Sequence, residues 1–202
     1  MLDLLEEKKI FSQGYEIIGA LDEAGRGPLA GPVIAACVIF KANFSINKEI
    51  EAVNDSKKLS SKKREELFEF IKNNFLEVGV GISDHQTIDR INILQATFLA
   101  MKKAIGSLKN KPQFLLVDGS IKIPNCSIPQ SAIVRGDEKI FSIAAASIIA
   151  KVTRDRIMAE YDKLYPNYGF LKHKGYGTRE HLVALKNFGP CPIHRLSFNK
   201  VK

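Results

Sequence analysis

The sequence predicts a three-layer α/β domain with a helical C-terminal extension. Three observations lead there. Short apolar runs of strand length dominate the early part of the chain, helical periodicities lie between and after them, and no internal repeat, low-complexity tract or Gly/Ser linker breaks the order. At about 150 residues per domain, the 202 residues fit one domain over 1–202, with residues 151–202 as its basic helical C-terminal part. A chain of this length buries about 70% of its unfolded surface and needs no disulfide or structural metal to fold.

The strands come first. Tyr15 to Leu21 (YEIIGAL) is a short apolar run, and Pro32 to Phe40 (PVIAACVIF) reads as a buried strand. Leu76, Val78, Val80 and Ile82 alternate with smaller or polar residues, the pattern of a half-buried strand. Phe114 to Val117 (FLLV) is a fourth strand and Ser131 to Val134 (SAIV) a fifth. Between them, Ser60 or Ser61 caps a helix on which Leu67, Phe68, Ile71 and Phe75 recur at helical spacing. Ile91, Leu94, Phe98, Met101 and Ile105 mark one longer helix. Ile140 to Leu164 is another, apolar first and then amphipathic. A last helix starts at Thr178 as cap and stops at Gly189, with Pro190 and Pro192 beyond it.

Composition narrows the function classes. Hydrophobic residues at 45% and charged residues at 26% exclude a disordered chain. The 3 cysteines, Cys37, Cys126 and Cys191, are odd in number and widely spaced, which argues against a disulfide framework and suits a reducing cytosol. The N-terminus lacks the apolar core of a signal peptide. The longest apolar stretch, Ile140 to Ala150, falls short of the roughly 20 residues that span a bilayer. A cytoplasmic protein without a membrane partner is expected, with a monomer as the default. Residues 151–202 hold 11 Lys or Arg and 4 Asp or Glu, so they carry +7 of the total +8. That segment is either a solvated face or a surface for a polyanion such as nucleic acid.

The chemistry concentrates in Asp22-Glu23-Ala24-Gly25-Arg26-Gly27-Pro28-Leu29-Ala30-Gly31-Pro32. Two adjacent carboxylates end an apolar strand, and buried ions need solvent, a counter-charge or a metal. Asp118 also follows a buried strand, and Asp137 precedes the helix near Lys139. Singly, these two read equally well as a turn aspartate and a helix cap. Together, Asp22, Glu23, Asp118 and Asp137 would form an all-oxygen cluster at strand ends, which suits Mg²⁺ or Mn²⁺ and not Zn²⁺. Cys191-Pro-Ile-His194 is half of a zinc site with no second pair, the four histidines show no ligand spacing, and neither a phosphate-binding P-loop nor a serine elbow occurs. Leu171-Lys172-His173-Lys174-Gly175-Tyr176-Gly177-Thr178 and Asn54-Asp55-Ser56-Lys57-Lys58 set cations beside a tyrosine or a helix entry, as either ordinary loops or phosphate and sugar contacts.

These segments resemble the type 2 ribonucleases H (ribonuclease HII), in their bacterial form. The resemblance covers nearly the whole chain through IGALDEAGRGPLAGPV, NDSKKLS, INILQATFLAM, FLLVDG, RGDEKIFSIAAASIIAKVTRDR, HKGYGTREH and HRLSF, in the family's order. It implies a ribonuclease H-like fold with a central mixed five-stranded sheet. The activity implied is endonucleolytic cutting of RNA in RNA–DNA hybrids, and nicking 5′ of single ribonucleotides in duplex DNA. By motif position, Asp22, Glu23, Asp118 and Asp137 match the family's catalytic, metal-binding carboxylates. Gly25, Arg26 and Gly27 match the motif that recognises the ribonucleotide 2′-hydroxyl, and Tyr176 matches the tyrosine that stacks on the sugar beyond the cleavage point. Ser56 and Lys57 fall in a segment the family uses near the backbone. Two metals about 4 Å apart would activate water and stabilise the leaving 3′-oxygen, giving 5′-phosphate and 3′-hydroxyl ends. Arg26 and the short segment before the first strand argue against the type 3 enzymes. A non-catalytic nucleic-acid module leaves the four acids unexplained, and a phosphotransferase for small phosphates is the other class to separate.

Overall fold

The structure, a computed structural model, describes residues 4–42 and 60–201. Five strands, β1 (Ile17–Ala24), β2 (Val33–Lys41), β3 (Glu77–Ser83), β4 (Phe114–Asp118) and β5 (Gln130–Ile133), form one sheet in the order β3-β2-β1-β4-β5. β1–β2 and β2–β3 pair antiparallel, while β1–β4 and β4–β5 pair parallel. The mixed sheet flanked by helices is as expected. Every residue of β2 from Val33 to Phe40 is buried, the mark of a strand covered on both faces.

One face of the sheet packs on α1 (Leu5–Phe11), α2 (Ser61–Asn74) and α5 (Phe141–Leu164). The other packs on α3 (His85–Ile91) and α4 (Ile93–Ser107). A third, smaller cluster joins the end of α5 to α6 (Phe170–His173) and α7 (Arg179–Phe188) through Met158, Tyr168, Phe170 and Ile193. Ser60 caps α2 by accepting from the Lys63 N–H, and Thr178 caps α7 by accepting from the His181 N–H, both as the sequence indicates. No helix among the described residues is long and apolar enough to cross a membrane, and the three cysteines are free.

Four features depart from the sequence expectation. β1 continues through Ala24, so Asp22 and Glu23 lie within the strand instead of after it. The single helix over residues 91–105 is two helices, broken at Asn92, whose φ of 65° is left-handed and whose side chain accepts from the Gln95 N–H. α1 was not anticipated, yet its Glu7 is fully buried and accepts from the Ser142 N–H at 3.0 Å. It thereby satisfies a first-turn donor of α5 from 135 residues away. On β3 the half-buried Val78 and Val80 pack on the first core cluster as expected, but the fully buried positions are Gly79, Gly81 and Ser83, and Leu76 and Ile82 are exposed. α4 lies so close that a methyl group at Gly81 would sit 1.9 Å from the Ala100 carbonyl oxygen.

That approach gives a direct test. Gly81→Ala should cost about 1–3 kcal/mol by overpacking. Gly106→Ala, where an added methyl meets nothing within 4 Å, should be neutral or stabilise α4 by up to ~1 kcal/mol. Urea unfolding of both variants checks the pair, and similar stabilities would remove close packing as the reason for glycine on β3.

Candidate active site

Parallel pairing sets the acids side by side. Leu21 of β1 faces Val117 of β4, so Asp22 and Asp118 follow one step later at the same end of the sheet. Asp118 pairs with Ile133 of β5. The chain then turns through Arg135, at a left-handed φ of 57°, into the 3₁₀ turn Gly136–Glu138 that carries Asp137. The Gly136 N–H donates to Asp118 Oδ1 at 2.6 Å and ties that turn to β4. α5 begins only after Ile140 and its Ser142 N–H goes to Glu7, so Asp137 is not at that helix's cap position.

All four carboxylates line one cleft of about 420 Å³, together with Gly25, Arg26, Gly27 and Tyr176. Asp22 and Asp137 are buried. Asp22 accepts from the Glu23 N–H at 2.7 Å, and Arg26 Nη1 donates to Glu23 Oε1 at 3.3 Å. Burial pushes the Asp22 carboxyl well above the usual carboxylate range, and the Glu23 and Asp118 charges push it further. Glu23 is raised by burial against the opposing pull of Arg26. Asp118 is raised by burial too, although the Gly136 N–H holds it down.

The cleft gains side chains that the motif reading passed over: Ser147 and Lys151 from α5, and Arg64 from α2. Ser147 hydrogen-bonds Asp22. Beneath the floor lies Arg154, 1% exposed, on the same stripe of α5 as Ala150 and Met158. An arginine at that apolar spacing was the available signal. A methyl at Gly27 would lie 3.6 Å from the Tyr176 ring, so the two loops meet at the cleft. Gly25 has a φ of 99°, and a side chain there would collide with Arg154. Ser56 and Lys57 lie outside the described residues. Lys172 pairs with Glu180, and Lys174 donates to the Leu171 carbonyl.

The donor set is oxygen only, which suits a hard divalent cation. Among the described residues no three His, Cys, Asp or Glu side chains converge closely enough to hold an ion as they stand. The neighbouring charges oppose one another, and backbone N–H groups and Arg26 hold Asp22, Glu23 and Asp118 in place. The oxygen chemistry and the raised carboxyls fit a cation, which would offset that repulsion. His173, His181 and His194, scattered in sequence, do come together in the third core cluster, with Cys191 Sγ 3.1 Å from His194 Nδ1. Their ring nitrogens are engaged in hydrogen bonds with protein groups.

A mixed five-stranded sheet with carboxylates at the shared end of its parallel strands defines a metal-dependent hydrolase of the ribonuclease H class. The comparisons with known proteins carry this further. The family model Ribonuclease HII matches residues 18–201. Ribonuclease HII of Clostridioides difficile (strain 630) is 57% identical over 194 residues, 96% of this chain and 74% of that protein. Ribonuclease HII of Geotalea daltonii is 56% identical over 200 residues, 98% of this chain and 90% of that one. The crystal structure of ribonuclease H2 from Pyrococcus horikoshii OT3 superposes with a TM-score of 0.74 at 28% identity, covering 92% of this chain and 95% of that one. The chain belongs to the ribonuclease HII family. It is an endoribonuclease of the ribonuclease H type, acting on RNA–DNA hybrids.

Asp22→Asn separates function from stability. A carboxyl whose folded pKa is raised favours the fold only while protonated, so that contribution is lost as pH rises through the raised value. The neutral amide should recover it at pH 7.5. Without divalent cations the variant should melt about 2–4 °C above the parent if the relief is ~1 kcal/mol. The difference should shrink as pH is lowered, while hydrolysis in Mg²⁺ is nearly abolished. Differential scanning fluorimetry beside a hybrid-cleavage assay checks both halves. A lower melting temperature at pH 7.5 would mean that Asp22 is net stabilising.

Proposed function

We propose that the chain cuts the RNA strand of RNA–DNA hybrids and also nicks duplex DNA on the 5′ side of a single embedded ribonucleotide, leaving 5′-phosphate and 3′-hydroxyl ends. The observation that carries this reading is the meeting of Gly27 and Tyr176 in the cleft floored by the four carboxylates. One loop offers backbone next to a half-exposed aromatic ring. Telling RNA from DNA requires a contact to the 2′-hydroxyl, and backbone without a side chain can reach it. The Tyr176 ring would pack against the deoxyribose that follows the ribonucleotide, where a second 2′-hydroxyl would crowd it.

Asp22, Glu23, Asp118 and Asp137 would hold two Mg²⁺ or Mn²⁺ ions, which when bound supply an activated water and charge stabilisation at the leaving 3′-oxygen. The chain's own part is to hold those carboxylates in place and oriented. Asp22 is set by the Glu23 N–H and Ser147, and Asp118 by the Gly136 N–H. Arg26 opposes the effect of burial on Glu23, so its guanidinium would serve the acid while the loop backbone faces the substrate. Arg64 and Lys151, at the rim of the same cleft, would meet phosphates and add salt-sensitive, sequence-independent affinity.

The decisive assay compares a DNA duplex holding one ribonucleotide with a continuous RNA–DNA hybrid. We expect chelator-sensitive nicking 5′ of the ribonucleotide, with Tyr176→Ala losing more of it than Tyr176→Phe. Failure to nick that duplex, with the hybrid still cut, would remove junction recognition. Equal losses for Ala and Phe would assign the role to the hydroxyl instead of the ring. Binding should also weaken with salt, and Arg64→Ala or Lys151→Ala should each lower the slope of log K against log salt by about 0.9 per lost phosphate contact. An unchanged slope and affinity would make both residues ordinary surface cations.

A further inference from the structure

Arg195 is fully buried, yet among the described residues its hydrogen bonds go to backbone carbonyls and not to a carboxylate. Its guanidinium donates from Nη2 to the Gly25 carbonyl at 2.6 Å and the Pro32 carbonyl at 3.2 Å, from Nη1 to the Arg26 carbonyl at 3.0 Å, and from Nε to the Gly31 carbonyl at 3.0 Å. Burial pushes it down to about 9, which leaves it charged at neutral pH. Its own N–H donates to Leu29 O at 2.9 Å, and Ala30 pairs with His194. The C-terminal segment therefore grips the Gly-Arg-Gly loop by both backbone and side chain.

The neighbouring residue grips the other loop. The Cys191 N–H can only donate, so at 2.9 Å it makes His194 Nδ1 an acceptor. The Cys191 carbonyl lies farther from that nitrogen, at 3.2 Å. The ring proton then sits on His194 Nε2 and is donated to His181 Nε2, 2.9 Å away. His181 in turn carries its proton on Nδ1 and donates it to the Tyr176 carbonyl at 3.0 Å. Every link has one donor and one acceptor, so both imidazoles are neutral with defined tautomers. The Tyr176 N–H donates to the His173 carbonyl. The His173 ring, which accepts from the Gly175 N–H, stacks on His181 at 4.5 Å between centroids.

We infer that His194 and Arg195 are positioning residues for substrate discrimination. Consecutive in sequence, they set the distance between the Gly-Arg-Gly loop and the Tyr176 ring, His194 acting through His181. The inference rests on the reading of those two loops given above. It separates specificity from chemistry: the four carboxylates hang from β1, β4 and the 136–138 turn, whereas the His194 ring bonds go to Cys191 and His181. Loosening the relay should let Tyr176 drift relative to Gly27. That would lower discrimination between a ribonucleotide–deoxyribonucleotide junction and continuous RNA before it lowers hydrolysis.

Replacing Arg195 strips several buried carbonyls of their donor and endangers folding, so the test uses His194→Asn and His181→Ala. The asparagine keeps an acceptor for the Cys191 N–H and loses the donor to His181. Each change is made alone and with Tyr176→Ala, and all proteins are assayed below their measured melting temperatures. The readout is the ratio of kcat/KM on the single-ribonucleotide duplex to kcat/KM on the continuous hybrid. We expect each single histidine variant to lower the ratio roughly tenfold, inside the hundredfold that an ångström of misplacement can cost. Neither should lower it further once Tyr176 is alanine, because the effect runs through that ring. Equal losses on both substrates, an unchanged ratio, or the same added loss in the Tyr176→Ala background would each overturn the positioning role. If Tyr176→Ala itself leaves the ratio at its parent value, the reading of Tyr176 falls and this inference falls with it. Should His194→Asn fail to fold, His181→Ala decides the matter alone.

Discussion

The segment from Gly25 to Pro32 links β1 to β2, and most of it is buried outside the sheet ladder. Buried backbone acceptors need donors. Arg195 and Arg154 supply them, Arg154 through Pro32 O, Ala30 O and Lys174 O. Desolvating a guanidinium costs several kcal/mol. Four bonds from this charged donor to backbone carbonyls offset that cost for Arg195. Gly25 follows from the same arrangement, since any side chain there would occupy the space that Arg154 fills. Much of this segment is therefore held from one side by buried guanidinium groups, while Arg26 and Gly27 stay exposed on the cleft.

The carboxylate cluster obeys the opposite economy. Asp22, Glu23 and Asp118 are each pushed toward protonation by burial, and neighbouring acids add to it. Nothing in the core requires acids there, because β1 is apolar from Ile17 to Leu21 without them. The fold accepts locally unfavourable charge at the shared end of parallel strands and compensates with packing elsewhere. β2 is sealed on both faces, and α4 is seated directly on the glycines of β3. Strain of this kind at a site, paired with a well-packed scaffold, is the usual balance between activity and stability.

The C-terminal part joins these two features. Its excess positive charge first suggests a polyanion surface, and at the cleft it contributes Lys151, which also pairs with Asp155, beside Arg64 of α2. Several of its charged groups have structural partners instead. Arg156 pairs with Glu65 and Glu69, Lys172 with Glu180, and Arg195 is enclosed altogether. Net charge along a sequence thus overstates what a nucleic acid can meet. The tail's larger contribution is geometric, since residues 193–195 zip onto residues 29–31 and connect the third core cluster to the site.

Much of this was legible in the sequence because it is written in local patterns. Strand runs, the Ser60 and Thr178 caps and the motif residues Asp22, Glu23, Asp118, Asp137, Gly25, Arg26, Gly27 and Tyr176 depend on neighbours a few positions away, and the order of those motifs identifies the family. Where local periodicity and tertiary packing competed, packing prevailed. The alternation on β3 read as a half-buried strand, and Val78 and Val80 do pack on one core cluster, but on the other face only glycine admits α4. An unbroken apolar repeat read as one helix, but Asn92 turns it. Long-range partners leave no local trace: Glu7 with the start of α5, Arg195 with the carbonyls of residues 25–32, and His194 joined to His181, on which His173 stacks. The sequence by itself determined which residues could do the chemistry, through residue type and spacing. The tertiary structure alone decided which of them share a cleft and what holds them there, because parallel strand order and buried backbone hydrogen bonding are properties of the assembled chain.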